Sequence, residues 1–141
     1  MARRYYGKVL RDSERAVIES FIRRAKQERW LQLMRSDKGR KKLRSTLAHF
    51  ADFDPAIIIP IPPSQQHATA IFRVLSESGA PRVCSLISEN PDWDGEEMDL
   101  DIALKEIVGY GFGTIVNCVP GKLAYFEGEG PKHRYILKRN L

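Results

Sequence analysis

The feature that most constrains the fold is a run of β-branched residues at positions 56–61, AIIIPI, followed by PPS at 62–64. Isoleucine is stiff at χ1 and packs well on a pleated sheet, and a run that is apolar at successive positions is typical of a strand covered on both faces. We therefore predict the first strand of a mixed sheet with helices on both sides. Pro60 has no N–H for a strand ladder, so it belongs at a sheet edge or near a strand end.

The residues before this run carry two helical patterns. Apolar residues recur at helical spacing over residues 17–25, and Trp30 lies off that stripe, so the first helix either bends or packs two faces. A break at residues 35–39 precedes a second helix, for which Ser36 or Asp37 is the predicted N-cap. Together these patterns predict a basic helical hairpin.

The residues after the run alternate between strand and helix patterns. They predict a helix capped by Ser64, a strand over residues 83–87, a helix that ends at Gly109, and strands over residues 114–119, 123–127 and 134–137. A strand, a helix and a strand in succession favour a parallel pair with a right-handed crossover. The last three strands are separated by Gly and Pro turns, which predicts an antiparallel meander.

These patterns predict one α/β domain of mixed α+β type over residues 1–141, with a basic helical part at 1–53 and an acidic α/β body at 54–141. The body holds a mixed sheet of about five strands, and residues 5–10 are predicted as an edge strand or an ordered arm. The composition, 43% apolar and 29% charged, is that of a globular protein. No membrane-helix or signal-peptide pattern occurs, so we predict a cytoplasmic protein with no membrane contact.

The charge is divided unequally along the chain. Residues 1–47 hold 15 Lys and Arg against 5 Asp and Glu, a net charge of +10, whereas residues 48–141 hold 8 against 13, a net charge of −5. Such an asymmetry indicates a surface that attracts an oppositely charged partner. The front of the chain is therefore the region where a polyanion is expected to bind.

The densest positive cluster lies at residues 35–44, RSDKGRKKLR. Cations near a helix N-terminus oppose the helix macrodipole, so their presence here favours a role outside the helix. Clustered Lys and Arg bind phosphates by releasing counterions, and Tyr5, Tyr6 and Trp30 are candidates for stacking on bases. The predicted nucleic-acid-binding residues are Arg23, Arg24, Lys26, Arg29, Arg35, Lys38, Arg40, Lys41, Lys42 and Arg44.

Other interpretations of the basic cluster stay open. The cations can form a solvated helix face, or they can dock onto the acidic body of the same chain or of a second copy. A helix-turn-helix fits poorly, because the first helix is overlong and a third helix is missing from the pattern.

A second candidate site follows from the predicted parallel strands. The carboxyl ends of parallel strands share one edge of a sheet, where ligands bind. Three loops would meet there, and His67 is the weak catalytic candidate among their residues. The predicted crevice residues are Gln65, Gln66, His67, Glu89, Asp92, Asp94 and Asn117. The alternative is that these side chains cap helices and solvate loops.

Several motifs that would indicate a specific chemistry are missing. The acidic residues 89–101 do not follow the EF-hand pattern, and no zinc spacing, nucleophile elbow or H-E-x-x-H occurs. The GYGFG segment at 109–113 joins a helix to a strand, the reverse of a phosphate-binding loop, so it is predicted as a helix C-cap. Cys84 and Cys118 lie in apolar runs and are predicted as buried free thiols, with a disulfide as the alternative. We predict no metal and no cofactor.

Three functional hypotheses remain. The first is a nucleic-acid-binding or nucleic-acid-associated protein that uses the basic helices. The second is an interaction or regulatory module in which opposed charges drive self-association or docking to a protein partner. The third is an enzyme or a small-molecule or metal binder that uses the crevice around His67.

Overall fold

The computed structural model describes residues 10–139, which form five α-helices and six β-strands. The predicted arm at residues 5–10 lies outside the described residues except for Leu10, and so do Tyr5 and Tyr6. The helices are α1 Asp12–Phe21, α2 Arg24–Leu33, α3 Asp37–Arg44, α4 Ala68–Glu77 and α5 Leu100–Ile107. The strands are β1 Ile58–Pro60, β2 Val83–Ser88, β3 Glu97–Asp99, β4 Thr114–Val119, β5 Leu123–Glu127 and β6 Arg134–Lys138. None of the described helices has the length and apolar character needed to cross a membrane.

All six strands pair antiparallel in one sheet, in the order β1-β6-β5-β4-β2-β3. The predicted α+β class and the β4-β5-β6 meander are confirmed. The predicted parallel pair is wrong, because β1 and β2 point the same way but three strands lie between them. The chain crosses the sheet through α4 and adds β2 at the far side, and the meander fills the gap. The strand that sequence patterns missed is the short β3, within the acidic connector.

The sheet is the middle layer of three. Helices α1, α2 and α3 pack on one face, around Phe21, Met34 and Phe126. Helices α4 and α5 pack on the other face, around Leu75 and Leu104. The doubly covered strands are therefore β4 and β5, whose residues are buried at almost every position.

The isoleucine run is an edge strand, so the prediction that it is covered on both faces is wrong. Ile59 is 49% exposed, whereas the flanking Ile57 and Ile61 are buried and anchor the strand. The predicted edge position of Pro60 is confirmed. The N–H of Ile61 donates to the carbonyl of Arg134, so the alternation of an antiparallel ladder turns Pro60 outward, where its missing N–H blocks further pairing.

The helical front contains three helices instead of the predicted hairpin. Helix α1 ends at Phe21 because the next residue, Ile22, pairs with Phe53 in an isolated β-bridge. The N–H of Arg23 then donates to the carbonyl of Asp52. The amide of Gln27 donates to the carbonyl of Ile22 at 2.9 Å, at the end of α1.

A buried ion network joins the helical front to the sheet. Arg40 is 2% exposed, and its two Nη atoms donate to the two carboxylate oxygens of Glu14 at 3.1 and 2.8 Å. Its Nε and Nη2 donate to Oδ2 of Asp94 at 3.1 and 3.0 Å, while Oδ1 of Asp94 accepts from the N–H of Ser88. Burial alone lowers the pKa of Arg40, but the hydrogen bonds and charges of the two carboxylates outweigh it and raise the pKa. The network thus links α1, α3 and the β2–β3 loop.

We expect the Arg40→Ala substitution to lower the free energy of unfolding by about 3–5 kcal/mol, because it leaves two buried carboxylates without their cation. The matched control is Arg15→Ala, since Arg15 forms an exposed pair with Glu19 at 3.8 Å and should change stability by about 1 kcal/mol or less. Urea unfolding measures both values. Equal effects of the two substitutions would contradict the role of the network.

The two cysteines are free and buried, as predicted. Burial raises the pKa of Cys84 to about 12, and burial also raises the pKa of Cys118. Because the thiolate is the reactive form, we expect both thiols of the native protein to react with a disulfide reagent at pH 8 at least ~10³-fold more slowly than in urea. Rapid labelling of the native protein, followed spectrophotometrically, would contradict this prediction.

Candidate nucleic-acid interface

A cleft of about 490 Å³ opens on the helical layer, between α2 and the segment that runs from α3 to residue 52. On α2 its lining residues are spaced one helical turn apart, so they share one face. Its floor is apolar, and its lining carries three cations, Lys26, Arg29 and Lys42, against one carboxylate, Asp52. The lining consists of Lys26, Arg29, Trp30, Leu33, Lys42, Leu43, Ser45, Thr46, His49, Phe50, Ala51 and Asp52.

Three cations of the cleft have no carboxylate partner among residues 10–139. Lys26, Arg29 and Lys42 are exposed, and none of them forms an ion pair with a carboxylate of residues 10–139. Lys38 precedes Lys42 by one turn on α3 and therefore continues the same basic face. Like charges around a concave surface reinforce one another, so the cleft attracts an anion.

The ten cations predicted to bind nucleic acid separate into two groups. Arg40 is buried in the ion network and cannot contact a phosphate, and Arg44 is largely covered, with its Nε 3.7 Å from Oδ2 of Asp94. The acidic body therefore docks onto these two cations within the same chain, as one of the alternatives expected. The exposed group consists of Arg23, Arg24, Lys26, Arg29, Arg35, Lys38, Lys41 and Lys42.

The expectation that Trp30 stacks on bases is wrong. Trp30 is 3% exposed and packs edge-on against Phe50, with ring centroids 4.8 Å apart. Its position off the first helical stripe reflects burial on a separate helix, α2. The cleft floor is thus part of the core, and the cations supply the polar contacts at its rim.

One end of the cleft meets the loop between β5 and β6. Nδ1 of His49 lies 2.8 Å from Oε2 of Glu129, and both side chains are exposed. The N–H of Glu129 donates to the carbonyl of Ala48 at 2.9 Å, which fixes this loop to the 3₁₀ turn that ends at His49. The rim of the cleft therefore continues onto the end of the sheet at which β5 leads into β6.

The GYGFG segment lies at the same end of the sheet, where it leads into β4. Its predicted role as a helix C-cap is confirmed, since Gly109 follows α5 with φ +94°. Two carboxylates hold the segment in place. Oε2 of Glu127 accepts from the N–H groups of Gly109 and Gly111 at 3.0 and 2.8 Å, and Oε1 of Glu89 accepts from the N–H of Gly113 at 2.6 Å. We call residues 109–113 the aromatic loop, because it exposes Tyr110 and Phe112. Sequence reasoning missed its aromatic side chains as functional candidates, although their alternation with glycine is visible.

Glu127 is the centre of this arrangement. It is fully buried, and its Oε1 accepts a hydrogen bond from the Tyr125 hydroxyl at 2.5 Å and lies 3.4 Å from Nε of Arg134. Burial, together with the charge of Glu127, raises the pKa of Tyr125, so this hydroxyl stays a donor. The carboxylate thus accepts hydrogen bonds from two backbone donors of the loop and from a tyrosine, and it also forms an ion pair with Arg134.

The predicted ligand crevice does not form, because β1 and β2 are four strand spacings apart, about 19 Å. On the β1 side, the amide of Gln66 donates to the carbonyls of Ile61 and Pro131. His67, and not Ser64, is the N-cap of α4, since its Nδ1 accepts from the N–H of Ala70. Gln65 lies in an exposed 3₁₀ turn.

The other crevice residues are also dispersed. Glu89 holds the aromatic loop, Asp94 is buried against Arg40, and Asp92 is exposed. Asn117 lies on β4 toward the opposite edge and donates to the carbonyl of Ser13. Among residues 10–139, no three His, Cys, Asp or Glu side chains are grouped as metal ligands.

Comparison of the chain with protein-family models, with curated proteins and with solved structures finds no match.

We expect Glu127→Gln to lower the free energy of unfolding by about 1–3 kcal/mol, because the new amide group cannot accept the hydrogen bonds that one carboxylate oxygen accepts. The control Glu106→Gln alters an exposed carboxylate on α5 and should change it by about 0.5 kcal/mol or less. Thermal or urea unfolding measures both variants. Wild-type stability of Glu127→Gln would mean that this carboxylate does not hold the loop.

Proposed function

We propose that this protein binds nucleic acid through phosphate contacts along the basic cleft. The observation that carries the proposal is the group of three exposed cations, Lys26, Arg29 and Lys42, around one concave surface with no carboxylate of the described residues paired to them. A phosphate backbone supplies regularly spaced anions, and releasing its counterions favours binding.

The distribution of charge over the layers supports the same partner. Eight exposed cations lie on α2, on α3 and in the segments that flank them, on one side of the sheet. The helices on the other side, α4 and α5, carry three exposed carboxylates, Glu77, Asp101 and Glu106, and two exposed cations, Arg73 and Lys105. A polyanion is therefore attracted more strongly to the helical front than to the back. Phosphate contacts of this kind carry no base sequence information, so the binding is expected to tolerate many sequences.

The ion network bears on the rival hypothesis of charge-driven self-association. Asp94, one of the acidic residues available for docking, already pairs with Arg40 and Arg44 of its own chain. The carboxylate of Asp94 is therefore already neutralised within the chain and does not attract the cations of a second copy. The eight cations on α2, on α3 and beside these helices remain exposed.

We expect the double variant Lys26→Glu and Lys42→Glu to bind a labelled 20-nucleotide RNA at least tenfold more weakly than the parent in 0.1 M salt. It should also reduce the slope of log K against log salt by ~2, because about two phosphate contacts are lost. Fluorescence anisotropy across a salt series measures both quantities, and heparin chromatography gives an independent readout of polyanion binding.

The matched control is the double variant Lys105→Glu and Lys122→Glu, which changes the net charge equally at exposed positions outside the cleft. It should retain most of the parent's affinity. Equal losses in the two double variants would show that only net charge matters, and a parent that passes heparin without retention would overturn the proposal.

A further inference from the structure

Two aromatic side chains project into solvent from the aromatic loop. Tyr110 is 66% exposed and Phe112 is 50% exposed. Exposing two large rings on one short loop gives up the free energy of burying them, so such rings mark a contact surface. Both residues are flanked by glycines, which leaves their ring faces uncrowded by neighbouring side chains in the sequence.

The loop is adjacent to the end of the basic cleft. Gly113 packs so tightly on the 3₁₀ turn that a Cβ at this position would lie 2.3 Å from the nitrogen of Ala48, which only glycine allows. Ala48 precedes His49 of the cleft, so the Cα atoms of Phe112 and His49 are at most about 13 Å apart by the intervening bond lengths. The end of the cleft at His49 thus lies beside the aromatic loop.

The loop is also held in one conformation. Three of its N–H groups donate to carboxylates, two to Glu127 and one to Glu89. The carbonyl of Gly113 accepts from the N–H of Glu89, which closes the contact from both sides. Because the backbone is ordered before a ligand arrives, binding to the rings does not have to immobilise it.

From this juxtaposition we infer that the ligand is a single-stranded nucleic acid, whose phosphates follow the basic cleft while unpaired bases stack on Tyr110 and Phe112. The inference rests on the proposed function and specifies its ligand. Single-strand-binding surfaces combine a positive groove with aromatic rings, because every base has a π-face. In a duplex the bases stack on one another inside the double helix, so they are not available to stack on Tyr110 and Phe112. An acidic protein could also bind the cations, but it has no bases to stack on the two exposed rings.

The test compares a double variant, Tyr110→Ala with Phe112→Ala, with the parent protein. We expect its affinity for a 20-nucleotide oligo(U) or oligo(dT) to fall about tenfold or more at 0.15 M salt, while its elution from heparin stays unchanged. Its affinity for a 20-base-pair duplex should also stay unchanged. The control Phe72→Ala removes an exposed aromatic ring on α4, on the opposite face of the sheet, and should bind like the parent.

A second variant keeps the test independent of any loss of folding. Phe112→Trp retains a flat ring, so it should bind oligo(U) at least as tightly as the parent, and its added fluorescence should be quenched when a base stacks on it. Parent binding that is equal for duplex and single strand, or an alanine double variant with parent affinity for oligo(U) and oligo(dT), would overturn the inference while leaving phosphate binding intact. If the parent protein binds neither heparin nor nucleic acid, the proposed function is overturned instead. The oligo(U) and oligo(dT) measurements show whether the strand is RNA, DNA or either.

Discussion

The guanidinium of Arg40 has no access to water and must find its partners inside the protein. Glu14 of α1 and Asp94 of the β2–β3 loop supply them, in a geometry that satisfies both carboxylates and the arginine. A buried charge without a partner is costly, so the pairing of Arg40 with both carboxylates stabilises the packing of the three elements. The orientation of α3 on the sheet depends on this network, and the position of the cleft beside α3 depends on that orientation.

The same network shows how the basic helical front is attached to the acidic body. One arginine of the cluster turns inward and a second, Arg44, reaches the same carboxylate from the surface. Their neighbours on α3, Lys38, Lys41 and Lys42, point to solvent. The two arginines of α3 thus attach the helical layer to the body, and its lysines face solvent. An amphipathic helix can separate its side chains in this way, because they lie on opposite faces.

Carboxylates organise the other end of the proposed binding surface. Glu127 and Glu89 accept hydrogen bonds from N–H groups of the aromatic loop, which lacks the repeated pairing of a helix or strand. Charge-assisted hydrogen bonds of this kind are stronger than neutral ones and suit a loop that must keep one shape. Glu127 and Glu89 therefore hold the aromatic loop and do not form a ligand crevice.

Local sequence patterns determined the α+β class, an N-cap at Ser36 or Asp37, the turn at Gly109, the meander and the edge position of Pro60, because each depends on residues a few positions apart. They also located the basic cluster. Only the tertiary structure decided the strand order, the burial of Arg40 and Trp30, and the meeting of the cleft with the aromatic loop. Glu14, Arg40 and Asp94 are separated by 26 and 54 positions, and no local pattern encodes which arginine of a cluster finds two distant carboxylates. Packing between residues that are distant in the sequence, over both faces of the sheet, determines that Arg40 is the arginine that pairs with them.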